Sequence, residues 1–362
     1  MEPTLPRVVI GMSGGVDSSV AAYLLKEQGY DVVGITMKVW LQECIAQAQD
    51  ACCGPSAVAD ARAVAHAIGI PHYVLDESAD FNQTIISYFA AEYAAGRTPN
   101  PCILCNEKVK FGSLWEKSAS LGAAYLATGH YARVEHGAGL SVLRKGTDAR
   151  KDQSYFLFSL SQEQLGRTLF PLGGMSKPEI RAIARQIGLK VADKADSQEI
   201  CFVPGNDYKA FLRQREGEAA FHPGGIFDTS GKRLAEHDGI EFFTIGQRKG
   251  LPGGSPRPIY VVDIDPASGA VIVGGPEDLL TETFRIERCN WLDGASATPF
   301  EATVKIRHGH PGAEATVTPL ETGAAEVRLH TPQRAVTPGQ AAVCYAGDRV
   351  LGGGWIVRHR PA

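Results

Sequence analysis

No apolar run in this chain approaches the length needed to cross a bilayer as a helix, which argues against a membrane-spanning helix. The first residues, Met1-Glu2-Pro3-Thr4-Leu5-Pro6-Arg7, lack the apolar stretch of a secretory leader, so the expected location is the cytoplasm. Charge of one sign is lacking too. The 36 Lys and Arg stand against 40 Asp and Glu, a net charge of −4. Residues 276–362 hold nine basic against ten acidic side chains. That balance excludes a protein held to nucleic acid by a general basic field and leaves only local basic clusters and shape. The sequence shows no internal repeat and no low-complexity tract. Its eight cysteines, in a chain expected to be cytoplasmic, read as thiols, ligands or redox groups rather than structural disulfides.

What is present centres on one stretch, Gly11-Met12-Ser13-Gly14-Gly15-Val16-Asp17-Ser18-Ser19. It follows the apolar run Val8-Val9-Ile10, which reads as a buried strand. It precedes a run of helix formers, Val20–Gln28, closed by Gly29. Strand, small-residue loop and helix together gather free backbone N–H groups at a helix N-terminus, where an anion is favoured. Gly14 and Gly15 allow close backbone approach, and Ser13, Ser18 and Ser19 add hydroxyls. No Gly-Lys-Ser/Thr follows, so the loop is not a Walker A sequence, and the glycines lack the dinucleotide spacing. The run resembles the PP-loop of the ATP pyrophosphatases, a resemblance that implies cleavage of ATP between its α- and β-phosphates.

Beyond the loop, strands expected at 31–37, 71–75 and 124–127 alternate with helices at 57–69, 81–96 and 107–121, a pattern for an α/β parallel sheet covered on both faces. Ligands of such sheets lie beyond the carboxyl ends of the strands, near Met37 and near Gly129 and His130. The proline-stiffened segment Thr98-Pro99-Asn100-Pro101-Cys102-Ile103-Leu104-Cys105 carries a C-x-x-C, readable as a redox couple or half a metal site. Ser176-Lys177-Pro178-Glu179 opens a helix through Ile187 with a capping pattern. Cys201, between Ile200 and Phe202, reads first as a buried thiol on a strand entered from the polar Asp196-Ser197-Gln198. From residue 206 short β-branched runs, among them 240–245, 259–264 and 270–273, replace the alternation, and further strands are expected near 283–291, 301–307, 325–330 and 341–345. The division that follows is a catalytic domain over 1–205, a small β-rich domain over 206–275 and a barrel- or sandwich-like domain over 276–362.

Read together and in order, the loop, Pro-Asn-Pro-Cys-Ile-Leu-Cys-Asn, Ala-Thr-Gly-His-Tyr, Lys-Asp-Gln-Ser-Tyr-Phe-Leu, Asp-Ser-Gln-Glu-Ile-Cys-Phe, Gly-Gln-Arg-Lys-Gly-Leu and Thr-Pro-Gly-Gln resemble the tRNA-specific 2-thiouridylases from about Val8 to Gly354. The resemblance implies a fold, a parallel-sheet PP-loop domain of the adenine nucleotide α-hydrolase-like kind followed by two β-rich domains. It implies a reaction as well, replacement of O2 of the wobble uridine by sulfur after ATP adenylates that oxygen. By the same resemblance Gly11, Met12, Ser13, Gly14, Gly15, Val16, Asp17, Ser18, Met37 and Gly129 bind ATP. Asn100, Pro101 and Cys102 face the target base, which is flipped out of the stack. His130, Lys151, Asp152, Gln153, Arg307, His308 and Gln340 contact tRNA. Cys201 carries a persulfide and Cys105 is the nucleophile that closes a transient disulfide with it; the thiolate is the competent form of each. Mg²⁺ would neutralise the phosphates, with Asp17 a candidate ligand. Many relatives have Asp where this chain has Cys102. That departure opens a second reading, in which Cys102, Cys105 and Cys201 ligate a 4Fe-4S cluster. A sulfur donor protein, a cysteine desulfurase or a sulfur-relay protein, is implied as a partner, and no membrane is.

Overall fold

The computed structural model describes residues 5–40, 55–137, 139–194, 200–253, 257–294, 298–321 and 323–358. Cys44, Cys52, Cys53 and the polar run Asp196-Ser197-Gln198 lie outside them. The chain divides into two compact units. One comprises Met1–Ile86, Cys102–Asn206 and Asp348–Val350, the other Ser87–Pro101, Asp207–Gly347 and Leu351–Ala362.

The first unit is built on a parallel sheet. Strands β1 (Leu5–Gly11), β2 (Tyr30–Lys38), β3 (His72–Asp76), β4 (Tyr125–Ala127) and β7 (Thr168–Leu169) lie in the order β3-β2-β1-β4-β7, every neighbouring pair parallel. Val8, Val9 and Ile10 are fully buried, as a strand covered on both faces requires. Helix α1 (Val16–Glu27) and α2 (Pro55–Ile68) pack with the helix Lys177–Gln186 onto one core that includes Val8, Ile10, Val20, Leu25, Val64 and Ile180. Because β2 and β4 flank β1 on opposite sides, the strand order reverses at β1. The loops after β1 and β4 therefore open onto the crevice at which ligands of such sheets bind. A hairpin absent from the sequence expectations, β5 (Ala132–His136) and β6 (Ser141–Lys145), follows β4.

Residues 200–203 form no strand. Val203 N–H donates to the Ile200 carbonyl at 2.9 Å, closing a turn that carries Cys201. Among the described residues no helix is long and apolar enough to cross a membrane.

The second unit contains a four-stranded sheet, β8 (Gly224–Asp228), β9 (Arg233–His237), β10 (Tyr260–Asp265) and β11 (Ala270–Gly274), in the order β10-β11-β8-β9. Here the run 240–245 is not a strand. Ile240–Phe242 is a short 3-10 turn, because Phe242 tucks against Phe221 with ring centroids 4.9 Å apart. A helix, Tyr208–Glu216, also stands where only β structure was expected, capped by the Asp207 carboxylate on the Ala210 N–H at 3.0 Å.

The last six strands are β12 (Leu280–Trp291), β13 (Phe300–Lys305), β14 (Ala313–Leu320), β15 (Ala324–Arg334), β16 (Ala341–Ala346) and β17 (Arg349–Ile356). They run in the order β12-β15-β14-β13-β16-β17, and the β12–β17 pairing closes them into a barrel. Closure removes the free edges a sandwich would leave. β17 contains Gly352-Gly353-Gly354, which hides it from strand propensity. Those glycines are needed because β12 runs so close: a Cβ on Gly352 would lie 2.1 Å from the Asn290 carbonyl oxygen.

Candidate active site

The loop after β1 turns tightly into the start of α1, whose first N–H groups have no intrahelical partner. Gly14 adopts φ +70°, and a Cβ there would lie 2.2 Å from the Ala57 carbonyl oxygen, so only glycine fits. Ser18 Oγ accepts the Ser13 N–H at 3.1 Å and donates to the Gly15 carbonyl at 3.3 Å, folding the loop over the start of α1. Ser19 Oγ donates to the same carbonyl at 2.8 Å. Thr36 Oγ1, from β2, donates to the Met12 carbonyl at 2.7 Å and is itself 2.8 Å from His72 Nε2 on β3. Three adjacent strands thus hold the loop backbone. Met37 lies near the carboxyl end of β2, half-buried. Gly129, after β4, abuts the loop directly: a Cβ there would stand 2.8 Å from Ser18 N.

Asp17 sits in the first turn of α1, where a carboxylate is favoured by the helix dipole. Its two oxygens accept from Lys177 Nζ at 2.8 and 2.9 Å, and Oδ1 also accepts the Tyr131 hydroxyl at 2.7 Å. Lys177 lies 160 residues away in sequence, its side chain only 10 % exposed. A second ammonium, Lys194 Nζ, donates to the Gly14 carbonyl at 3.2 Å and to Asp60 Oδ2 at 2.7 Å. The loop is therefore flanked by two lysines that the sequence reading did not single out. One signal was available: Lys177 opens its helix, the end where the dipole disfavours a cation. The pairing also means that the Asp17 carboxylate already holds a cation of the chain itself. Among the described residues no three His, Cys, Asp or Glu side chains are gathered to hold a metal ion. As arranged, then, Cys102, Cys105 and Cys201 do not form a ligand set for a cluster.

His130 is buried, 7 % exposed. Its Nε2 accepts from Lys110 Nζ at 3.4 Å, so the proton resides on Nδ1, which is 2.7 Å from Thr128 Oγ1. Burial, reinforced by Lys110, holds its pKa well below 6.5. The unfolded chain binds this proton more readily than the folded one. The stability that the neutral ring contributes is present above pH about 6.5 and is lost as pH falls below that value toward the folded pKa. Melting temperatures measured from pH 7.5 down to 5 should fall, and should fall less steeply in His130→Gln; parallel curves would contradict this.

Asp152 and Gln153 are committed internally. Asp152 Oδ1 accepts the Gly146 and Ser154 N–H groups at 3.0 and 3.1 Å, and Gln153 Oε1 accepts the Tyr131 N–H at 3.0 Å. Lys151 beside them is half-exposed. Cys102 and Cys105 stand three apart on the short helix Pro101–Cys105 and so share a face. Both, like Cys201, are thiols outside any disulfide, Cys102 exposed and the other two half-buried. Phe202, next to Cys201, packs edge-on against Phe81 with centroids 5.8 Å apart.

In the second unit, Asn100 is half-buried and follows Thr98-Pro99, whose carbonyls accept from Gln340 Nε2 at 3.0 and 3.2 Å. Gln340 is thus a strut for that segment. Arg307 and His308 are exposed.

The sequence profile described as the tRNA methyl transferase HUP domain matches residues 6–205. The PRC-barrel domain of the same name matches 209–275, and an aminomethyltransferase beta-barrel domain matches 281–356. The tRNA-specific 2-thiouridylase MnmA of Heliobacterium modesticaldum is 51% identical over 356 residues, covering 97% of this chain and 92% of that protein. The chain belongs to the tRNA-specific 2-thiouridylase family. The thiouridylase of Geobacter metallireducens is 49% identical over 360 residues, 98% of each chain. These relatives span both units, so the family extends over the parallel sheet and the barrel alike. Among solved structures, a 4-thiouridine synthetase–RNA complex with bound ATP shares 18% identity at a TM-score of 0.37, covering 58% of this chain and 50% of that one; a likeness so remote adds nothing to the assignment.

Proposed function

We propose that this chain is an ATP-dependent tRNA-uridine 2-sulfurtransferase, acting on the wobble uridine through an adenylated intermediate. The observation that carries the reading is the combination, within one unit, of a phosphate cradle flanked by Lys177 and Lys194 with thiols at Cys102, Cys105 and Cys201. A methyl transfer, which the profile's description names, would need neither the cradle nor the thiols.

In the first step uridine O2 attacks the α-phosphorus of ATP; the bond from that phosphorus to the bridging oxygen breaks and pyrophosphate leaves. Backbone N–H groups of Gly11–Ser18 and the Lys177 ammonium stabilise the charge that leaves, with Met37 and Gly129 at the adenosine. Mg²⁺ would neutralise the phosphates it accompanies; since Asp17 is paired with Lys177, no protein ligand is assigned to it. The terminal sulfur of a Cys201 persulfide then attacks C2, the C2–O bond breaks and AMP leaves. Finally the Cys105 thiolate attacks Cys201 Sγ, the S–S bond to the RNA sulfur breaks, and 2-thiouridine departs, leaving a Cys105–Cys201 disulfide that a dithiol reduces. A sulfur donor protein, a cysteine desulfurase or a relay protein, reloads Cys201 in the cytoplasm. Delivery from a 4Fe-4S cluster finds no gathered ligand set among the described residues.

The substrate enters at Asn100, Pro101 and Cys102. Lys151, Arg307 and His308 are the surface contacts to tRNA, while His130, Asp152, Gln153 and Gln340 act by holding neighbouring backbone and Lys110. The organisation that goes with this function is a catalytic domain over 1–205, a central β-rich domain over 206–275 and a tRNA-contacting barrel over 276–362. Incubated with ATP, a persulfide donor and unmodified tRNA, the purified protein should yield 2-thiouridine, AMP and pyrophosphate in equal amounts. Absence of 2-thiouridine in the hydrolysed RNA would overturn the assignment.

A further inference from the structure

The second unit holds a cavity of about 470 Å³ that none of the foregoing chemistry uses. Its wall includes Tyr88, Arg97, Asp263, Arg288, Trp355 and Arg358. Two of its three arginines are neutralised: Arg97 forks onto Glu92, and Arg358 reaches Asp263 at 2.6 Å and Asp265 at 3.5 Å. Glu287, also on the wall, is paired with Arg285 at 3.3 Å. Arg288 differs. It is exposed, no carboxylate among the described residues pairs with it, and its guanidinium lies over the Trp355 ring, 5.5 Å from the centroid. It also sits at an irregularity in the β12–β17 ladder with φ +52°, a conformation that bulges use to re-aim a side chain.

The charges on the wall balance overall, and what the cavity offers is one guanidinium that no carboxylate among the described residues engages, in a space that admits a single nucleotide. Its wall is continuous with the segment assigned to the target base. Arg97 precedes Asn100 by three residues, so their Cα atoms are at most about 11 Å apart. That segment is strapped by Thr98 N–H to the Pro338 carbonyl at 2.9 Å and by Gln340 to Thr98 and Pro99. Trp355 itself is buried beneath Arg288 and edge-on to Tyr88, which is half-buried. We infer that this cavity is a subsite for a nucleotide flanking the modified uridine, Arg288 holding its phosphodiester and the Tyr88 ring receiving its unstacked base. Single-stranded loops are read in this way, by splayed bases on aromatic surface with arginine at the backbone. The inference rests on the tRNA reading above.

The test uses the full chain and a fluorescent RNA stem-loop carrying the anticodon sequence, titrated without ATP or sulfur donor. Arg288→Gly removes the side chain at a position whose φ suits glycine, so its melting temperature should equal or exceed that of the parent. Its Kd should rise about tenfold, and the slope of log Kd against log salt should fall by about 0.7, one phosphate contact on a single strand. Arg288→Lys, which keeps the charge but not the planar stack, should fall between. Equal Kd and slope for parent and Arg288→Gly would overturn the subsite while leaving the thiolation reading intact. Failure of the parent to bind the RNA at all would overturn both.

Discussion

Cys201→Ser should lower 2-thiouridine formation by roughly a thousandfold or more while pyrophosphate is still released in a single turnover. A hydroxyl cannot carry sulfane sulfur, so the adenylated uridine forms and then waits. One pyrophosphate per RNA should appear in a quench-flow burst, with AMP retained on the RNA rather than free. Cys105→Ser should fail later. Sulfur reaches C2, AMP departs, and the RNA remains joined to Cys201 through a disulfide that no second thiol resolves. A covalent protein–RNA adduct, released by dithiothreitol, should accumulate on non-reducing gels. The two phenotypes separate the roles by chemistry rather than by loss of activity alone. Undiminished thiolation by Cys201→Ser would sink the sulfur-carrier assignment, and a cluster-based delivery would predict iron lost from both variants and no adduct in either.

The contrast between what was readable and what was not follows from the range of the forces involved. Val8–Ile10, Gly14 and the Ser176/Glu179 capping box were legible because each is decided within a few residues, by burial on both faces of a strand, by a positive φ or by a reciprocal cap. The juxtaposition of Gly129 with the loop Gly11–Ser18 was legible because motif and strand end coincide there. Lys177 was not, since its partner Asp17 is 160 residues distant and only tertiary packing brings the two together. Cys201 was read on a strand because Ile200, Phe202 and Val203 have strand propensity; the structure spends that apolar surface on packing, Phe202 against Phe81, and turns the backbone instead. Ile240–Ile245 failed for the same reason, Phe242 packing against Phe221 and Phe243 against His237. β17 failed the opposite way, its glycines reading as a loop although they exist to let β12 approach.

Lys177→Ala should reduce kcat/KM for ATP by about a hundred- to a thousandfold, the loss expected when one charged donor is removed from a developing anion. In the free protein the ammonium is held on Asp17, beside the loop, by two hydrogen bonds, and Asp17 Oδ1 also accepts the Tyr131 hydroxyl. Polyphosphate arriving at the loop offers more negative charge than one carboxylate, so the ammonium is poised to be shared with it. A purely structural pair would predict something else: lost stability, with activity recovering in whatever protein stays folded. The side chains of Lys177 and Asp17 are 10 % and 32 % exposed, so breaking the pair should cost about 2 kcal/mol, between the surface and buried limits. Part of that is offset by removing a cation from a helix N-terminus. The double variant Asp17→Asn with Lys177→Met separates the two accounts, since it leaves no unpaired charge. Its melting temperature should return toward that of the parent while pyrophosphate release stays as low as in Lys177→Ala. If instead activity returns with stability, the lysine only supports the loop, and the charge facing the leaving pyrophosphate must be sought at Lys194.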